Sequence, residues 1–354
     1  MPGAHDARDP RSVEVLRTRH LLLLDEETVP SDVVALVHNR IPDLPAPEVV
    51  SAGEMLPEGV LTEDVKSWRL TRHSRLEGPF LFDAATCAEL GIPARYSRAF
   101  ALVAPRDREP SPPPSWYRDP DGLHLLFPGG LPSQEEGRQI DLLIAVARRL
   151  HGGVRFSDEQ VDPQALLSPS GVAAAAEAEA NQPAGLLFPD PDAHIDLFVY
   201  GSYWLAPEVL FERLRALDST VEFPVLPEGA GEDGARDDGA AGHGGLELDG
   251  YSILVPLTAL GERAGSIEIR VMEEEALPRI VRMADPESPT RVLYHLHWMD
   301  ADQQRYLPEP DEELRRLRLA ASVRLDRLAG EVLRATGGTV LDEDGFLVAP
   351  AQLG

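Results

Sequence analysis

Residues 141–159 read DLLIAVARRLHGGVRFSDE, and 185 positions later residues 326–344 read DRLAGEVLRATGGTVLDED. Asp, Leu, Arg and a Gly-Gly pair coincide at Asp141/Asp326, Leu143/Leu328, Arg149/Arg334, Gly152/Gly337 and Gly153/Gly338. Both stretches carry apolar residues at helical spacing and then a glycine that ends the helix. An earlier match, at an offset of 176, aligns 21–24 and the segment from Asp32 with 197–200 and the segment from Glu208. Two ungapped matches in the same order predict one unit duplicated in tandem.

Working outward, each half reads as strand, helix, several strands, helix, strand. That pattern predicts an α+β fold, a mostly antiparallel sheet with helices on one face, present twice. The expected organisation is a flexible N-terminus at 1–12, a first repeat at 13–162, a linker at 163–193 and a second repeat at 194–354. Within the second repeat, 227–245 (PEGAGEDGARDDGAAGHGG) is too polar and Gly-rich to offset ordering entropy and is expected to be disordered. A helical turn is expected at 173–180 from its alanines. A strand is expected at 123–127. Ser133-Gln134-Glu135-Glu136 reads as a capping box opening the helix that follows. Residues 311–336 predict a long helix with Leu314, Leu317, Ala321, Leu325, Leu328 and Val332 as its buried stripe.

The 354 residues suffice for two cores. The 60 acidic against 33 basic residues give a net charge of -27, which repels nucleic-acid phosphates and anionic membranes and leaves a basic protein as the expected partner. Lys66 is the only lysine, a bias consistent with a high-GC bacterial genome, so the arginines of 311–336 read as a solvated, ion-paired face. Cys87 is the only cysteine, which excludes an intrachain disulfide. No apolar run approaches the ~20 residues of a membrane span, and a cytoplasmic location is the expectation.

Few motifs carry chemistry. His295 and His297 alternate on an expected strand, so both imidazoles share one face, and Asp300 or Asp302 follows closely enough to suggest a His/carboxylate metal set. Against it stands the first repeat, where the strand expected before the long helix keeps only His124, opposite His295, with Leu126 opposite His297. Gly229–Gly234 satisfies G-x-G-x-x-G, but Glu232 and Asp233 would oppose a phosphate and no helix follows. Asp342-Glu343-Asp344-Gly345 reads as a hairpin turn, not a calcium loop, because the terminal bidentate Glu is missing. Cys87 reads as a small buried apolar residue. The expectation is a non-catalytic interaction or regulatory protein, inhibitor-like or immunity-like, without a cofactor. The alternative is a metal-dependent enzyme or metal-binding protein built on His295, His297 and Asp300.

Overall fold

The computed structural model describes residues 11–53, 63–114, 116–117, 119–157, 185–222, 250–284, 286, 291–307 and 310–354. The expected disordered loop at 227–245, the helical turn at 173–180, most of the linker and most of the flexible N-terminus lie outside them. Among the described residues there are eight α-helices and two antiparallel sheets, of seven and five strands, so the protein is mixed α+β. The chain divides into two units, Met1–Ala193 with Tyr306–Glu309, and His194–Arg305 with Pro310–Gly354.

In the first unit the elements are α1 (Val13–Arg17), β1 (His20–Leu24), α2 (Pro30–Arg40), β2 (Glu48–Ser51), β3 (Val65–Arg69), β4 (Arg75–Leu81), α3 (Ala84–Leu90), β5 (Arg98–Val103), α4 (Leu123–Leu126), α5 (Gln134–Arg149), β6 (Gly153–Arg155) and β7 (Leu186–Leu187). The sheet order is β2-β3-β4-β5-β1-β6-β7. All five residues of β1 are buried, which is why it reads as an unbroken Leu run and not an alternating one. Leu21 and Leu23 pack with Leu16, Cys87 and Leu90 on one face. Cys87 is buried there, and burial pushes its thiol pKa up, which suits a packing role.

The structure corrects three expectations. The strand expected at 123–127 is the helix α4; four apolar-rich residues are too few to distinguish the two periods. Ser133 makes no side-chain cap. Glu135 and Glu136 instead bind distant partners: Ser74 and Thr71 for Glu135, and His20 and Arg108 for Glu136. Finally, β7 lies inside the expected linker yet pairs with β6 in the first unit's sheet.

The second unit comprises β8 (Leu197–Gly201), α6 (Pro207–Leu217), β9 (Gly250–Pro256), β10 (Ser266–Glu274), α7 (Arg279–Ala284), β11 (Arg291–Met299), α8 (Glu312–Thr336) and β12 (Thr339–Asp342), in the order β12-β8-β11-β10-β9. Asp311 caps α8 by accepting from the Leu314 N–H, worth about 1 kcal/mol. Leu317, Ala321, Leu325, Leu328 and Val332 of α8 join Leu210 and Leu214 of α6 over Val199, Tyr294, Leu296 and Trp298. Each large apolar side chain so buried contributes roughly 1.5–3 kcal/mol. On the opposite face α7 sets Val281 with Leu277 against Tyr200, Leu293 and Leu341.

The second order, reversed, is that of β3-β4-β5-β1-β6. β1 and α2 map onto β8 and α6 at an offset of 177, with Pro30 and Pro207 both opening 11-residue helices and Val33/Leu210 and Val37/Leu214 both buried. The sequence offset of 176 is one residue out, and in a strand one residue exchanges the faces. The glycine pairs slip likewise. A Cβ on Gly152 would lie 2.4 Å from the Leu23 carbonyl oxygen, and one on Gly338 would lie 2.0 Å from that of Tyr200. Gly152 therefore corresponds to Gly338, not to Gly337. Gly152 is not the left-handed cap either: His151 takes the positive φ of 52°.

Candidate functional site

The strand β11 alternates cleanly. Tyr294, Leu296 and Trp298 point into the core, which leaves His295 and His297 on the other face. β8 pairs with β11 so that Leu197 faces Leu296 and Phe198 faces His295. The residue before β8, Asp196, thereby meets His297. Asp196 Oδ2 lies 2.5 Å from His297 Nδ1 and 3.9 Å from His295 Nε2. One donor atom from each of Asp196, His295 and His297 falls within 4.8 Å of the others. The His295 ring stacks on Phe198 at 4.4 Å between centroids, with 8° between the planes, which fixes its orientation.

Asp196 is buried, and its other oxygen is fully engaged. Oδ1 accepts from the Trp298 N–H at 3.1 Å and from Arg305 Nη1 at 2.8 Å. Burial opposes the ionised carboxyl, but the contacts with His295, His297 and Arg305 outweigh it and hold Asp196 well below the usual carboxylate range. Arg305 is itself buried and continues to Glu343 Oε2 at 3.1 Å, in the turn after β12. Glu343 Oε2 in turn accepts from the Asp196 N–H at 3.4 Å. Next to Glu343, Asp344 meets His194 Nδ1 at 2.9 Å. The turn itself is the expected hairpin, closed by Gly345 N–H to the Asp342 carbonyl at 2.9 Å with Gly345 at φ 75°.

Most of this polar set is satisfied within the protein. The exception is His295 Nε2, which is buried and has no hydrogen-bond partner among the described residues, 3.9 Å from Asp196 being beyond hydrogen-bond reach. An unmet buried imidazole nitrogen normally calls for an explanation, and an ion is one of them.

The structure sets His295 and His297 together but turns Asp300 elsewhere. Asp300 is buried and accepts from the backbone N–H of Gln304 at 2.6 Å and of Arg305 at 3.3 Å, so it shapes the turn that delivers Arg305. Asp302 is exposed and lies 3.4 Å from Arg263. The carboxylate beside the histidines is Asp196, which sequence reading missed. It lies 101 residues from His297, and only the β8–β11 pairing joins them.

In the first unit the counterpart of β11 is β5, not the segment holding His124. Through the β1–β5 and β8–β11 registers, Ala101 and Val103 stand where His295 and His297 do, and Arg19 stands where Asp196 does. The strand beside it carries an ion pair in both units, with the signs in opposite order: Arg75–Glu77 in β4 and Glu268–Arg270 in β10. The first unit has its own buried polar cluster. His20 Nε2 lies 2.9 Å from Glu136 Oε1, both side chains fully buried, and Glu136 also meets Arg106 at 3.2 Å and Arg108 at 2.7 Å. Burial lowers the His20 pKa to about 4. The Ser157 N–H reaches His20 Nδ1 at 3.4 Å.

Among the described residues no helix is long and apolar enough to cross a membrane. No protein-family model, no curated protein and no solved structure matches the chain.

Proposed function

We propose that the second unit binds one divalent transition-metal ion through Asp196, His295 and His297. The observation that carries this reading is the buried Nε2 of His295, which has no hydrogen-bond partner among the described residues and faces Asp196 Oδ2 at 3.9 Å. Ligand atoms bonded at about 2.0–2.2 Å to a tetrahedral ion stand roughly 3.4 Å apart. The 3.9 Å gap closes slightly on uptake, and the 2.5 Å contact between Asp196 and His297 opens by about 1 Å. Arg305 and the Trp298 N–H hold Oδ1, so Asp196 offers Oδ2 as a single ligand atom. Two imidazoles with one carboxylate suit zinc, iron, cobalt or nickel over magnesium or calcium.

Three protein donors leave one position of a tetrahedral ion for water or a small ligand, as in sites that do chemistry and unlike closed structural ones. Cobalt(II) titration followed by visible absorption tests the reading. One equivalent producing ligand-field bands, abolished by His295→Ala with His297→Ala, supports it. A featureless titration overturns it.

The net charge of -27 supports a second reading, a non-catalytic regulatory or inhibitor role against a basic protein. Its test is a stoichiometric complex with a defined basic protein whose affinity falls steeply with salt. The shared strand order supports descent of the two units from one duplicated ancestor, with the histidines confined to the second.

A further inference from the structure

Beside the histidines the sheet carries a second pair of charges. In β10, Glu268 lies directly opposite His297 and Arg270 directly opposite His295. Directly opposed residues of antiparallel strands project to the same face, with Cβ atoms about 4.5–5.5 Å apart. Their neighbours Ile267, Ile269 and Val271 point into the core, so Glu268 and Arg270 stand on the open side with the imidazoles. Arg270 grips Glu268 Oε2 through both Nε and Nη2 at 2.7 Å. The Arg270 side chain is 46% exposed and that of Glu268 14%. A guanidinium fork beside a metal with an open position is suited to a planar or tetrahedral oxyanion.

We propose that the metal site of the second unit takes an anionic small molecule, bearing a carboxylate or a phosphate, with one oxygen on the ion and another on Arg270. Glu268 is the built-in competitor, occupying the guanidinium until the anion displaces it. An acidic protein has little general attraction for anions, so recognition rests on this local pairing of metal and arginine. The proposal depends on the metal reading above.

The test uses the full chain loaded with cobalt(II), titrated separately with oxalate and with inorganic phosphate while the visible spectrum is followed. The wild-type spectrum shifts to saturation with at least one of the two, and the one that acts identifies the acid group. Arg270→Met weakens that response roughly 10-fold, and Glu268→Gln strengthens it severalfold, the direction a purely structural ion pair would not give. Each variant is titrated with anion at saturating cobalt, so the responses compare fully loaded proteins. A loaded wild type blind to both anions overturns the proposal and leaves the metal reading standing. So does Arg270→Met responding like wild type, or Glu268→Gln responding no better than wild type. A chain that takes up no cobalt removes the metal reading and this proposal together.

Discussion

His297 Nδ1 lies 2.5 Å from Asp196 Oδ2 although 101 residues separate the two in the chain. The contact exists because β8 and β11 are neighbours in the sheet, and because Arg305 and the Trp298 N–H pin the carboxylate from its other side. It distinguishes two aspartates that sequence proximity would rank the other way.

Asp196→Asn is therefore expected to abolish metal uptake and to destabilise the second unit by about 1.5–3 kcal/mol, since Arg305 loses one of its two carboxylate partners and keeps Glu343. Asp300→Asn is expected to cost only about 1–2 kcal/mol and to leave metal stoichiometry unchanged, because its contacts are to backbone N–H groups. Urea denaturation with parallel metal analysis checks both. Metal loss in Asp300→Asn with retention in Asp196→Asn would restore the sequence expectation.

His20 predicts a pH dependence in the first unit. Its folded pKa of about 4 lies below the ordinary value of 6.5 chiefly because of burial. Between these values the unfolded chain binds more protons than the folded one. The stability contributed by keeping His20 neutral is thus fully present above pH ~6.5 and is lost as pH falls toward ~4, by up to roughly 3 kcal/mol. Denaturation midpoints across that window for wild type and His20→Gln measure it. The two curves should diverge least at the acid end. Parallel curves would show that His20 does not carry the loss.

The glycine pair closing α8 predicts two different costs. Gly337 has φ 65° and ψ −166°, a backbone region that essentially only glycine adopts, with open space where a Cβ would stand, so Gly337→Ala is expected to cost about 1–3 kcal/mol from conformation alone. Gly338 has φ 99°, and a Cβ there would meet the Tyr200 carbonyl oxygen at 2.0 Å. Gly338→Ala is expected to cost more than about 3 kcal/mol, because a central strand must move. Thermal unfolding of the two variants gives the ranking, and equal losses would contradict it.

What the sequence made legible follows the range of the interactions. The helices α5 and α8 announce themselves because their apolar residues recur over 16 and 25 residues. The alternation of His295, Leu296, His297 and Trp298 correctly sets both imidazoles on one face. Asp196 was not legible as their neighbour, since no local pattern reports which strands pair. Glu136 looked like half of a capping box because Ser133 stands three residues before it. Its actual partners, His20, Arg106 and Arg108, come from β1 and from the segment after β5. The offsets of 176 and 185 differ by one residue from the spacings of the elements with the same place in the strand order, 177 for β1 and β8 and 186 for β6 and β12, and in a strand one residue is the difference between core and surface.

The most direct test of metal binding by the second unit is equilibrium dialysis of the full chain against zinc, followed by elemental analysis of wild type and of His295→Ala with His297→Ala. The expected result is one equivalent of zinc per wild-type chain at micromolar free metal and none above background in the double variant. Wild-type chain emerging without zinc, or a double variant that retains the full equivalent, would contradict it.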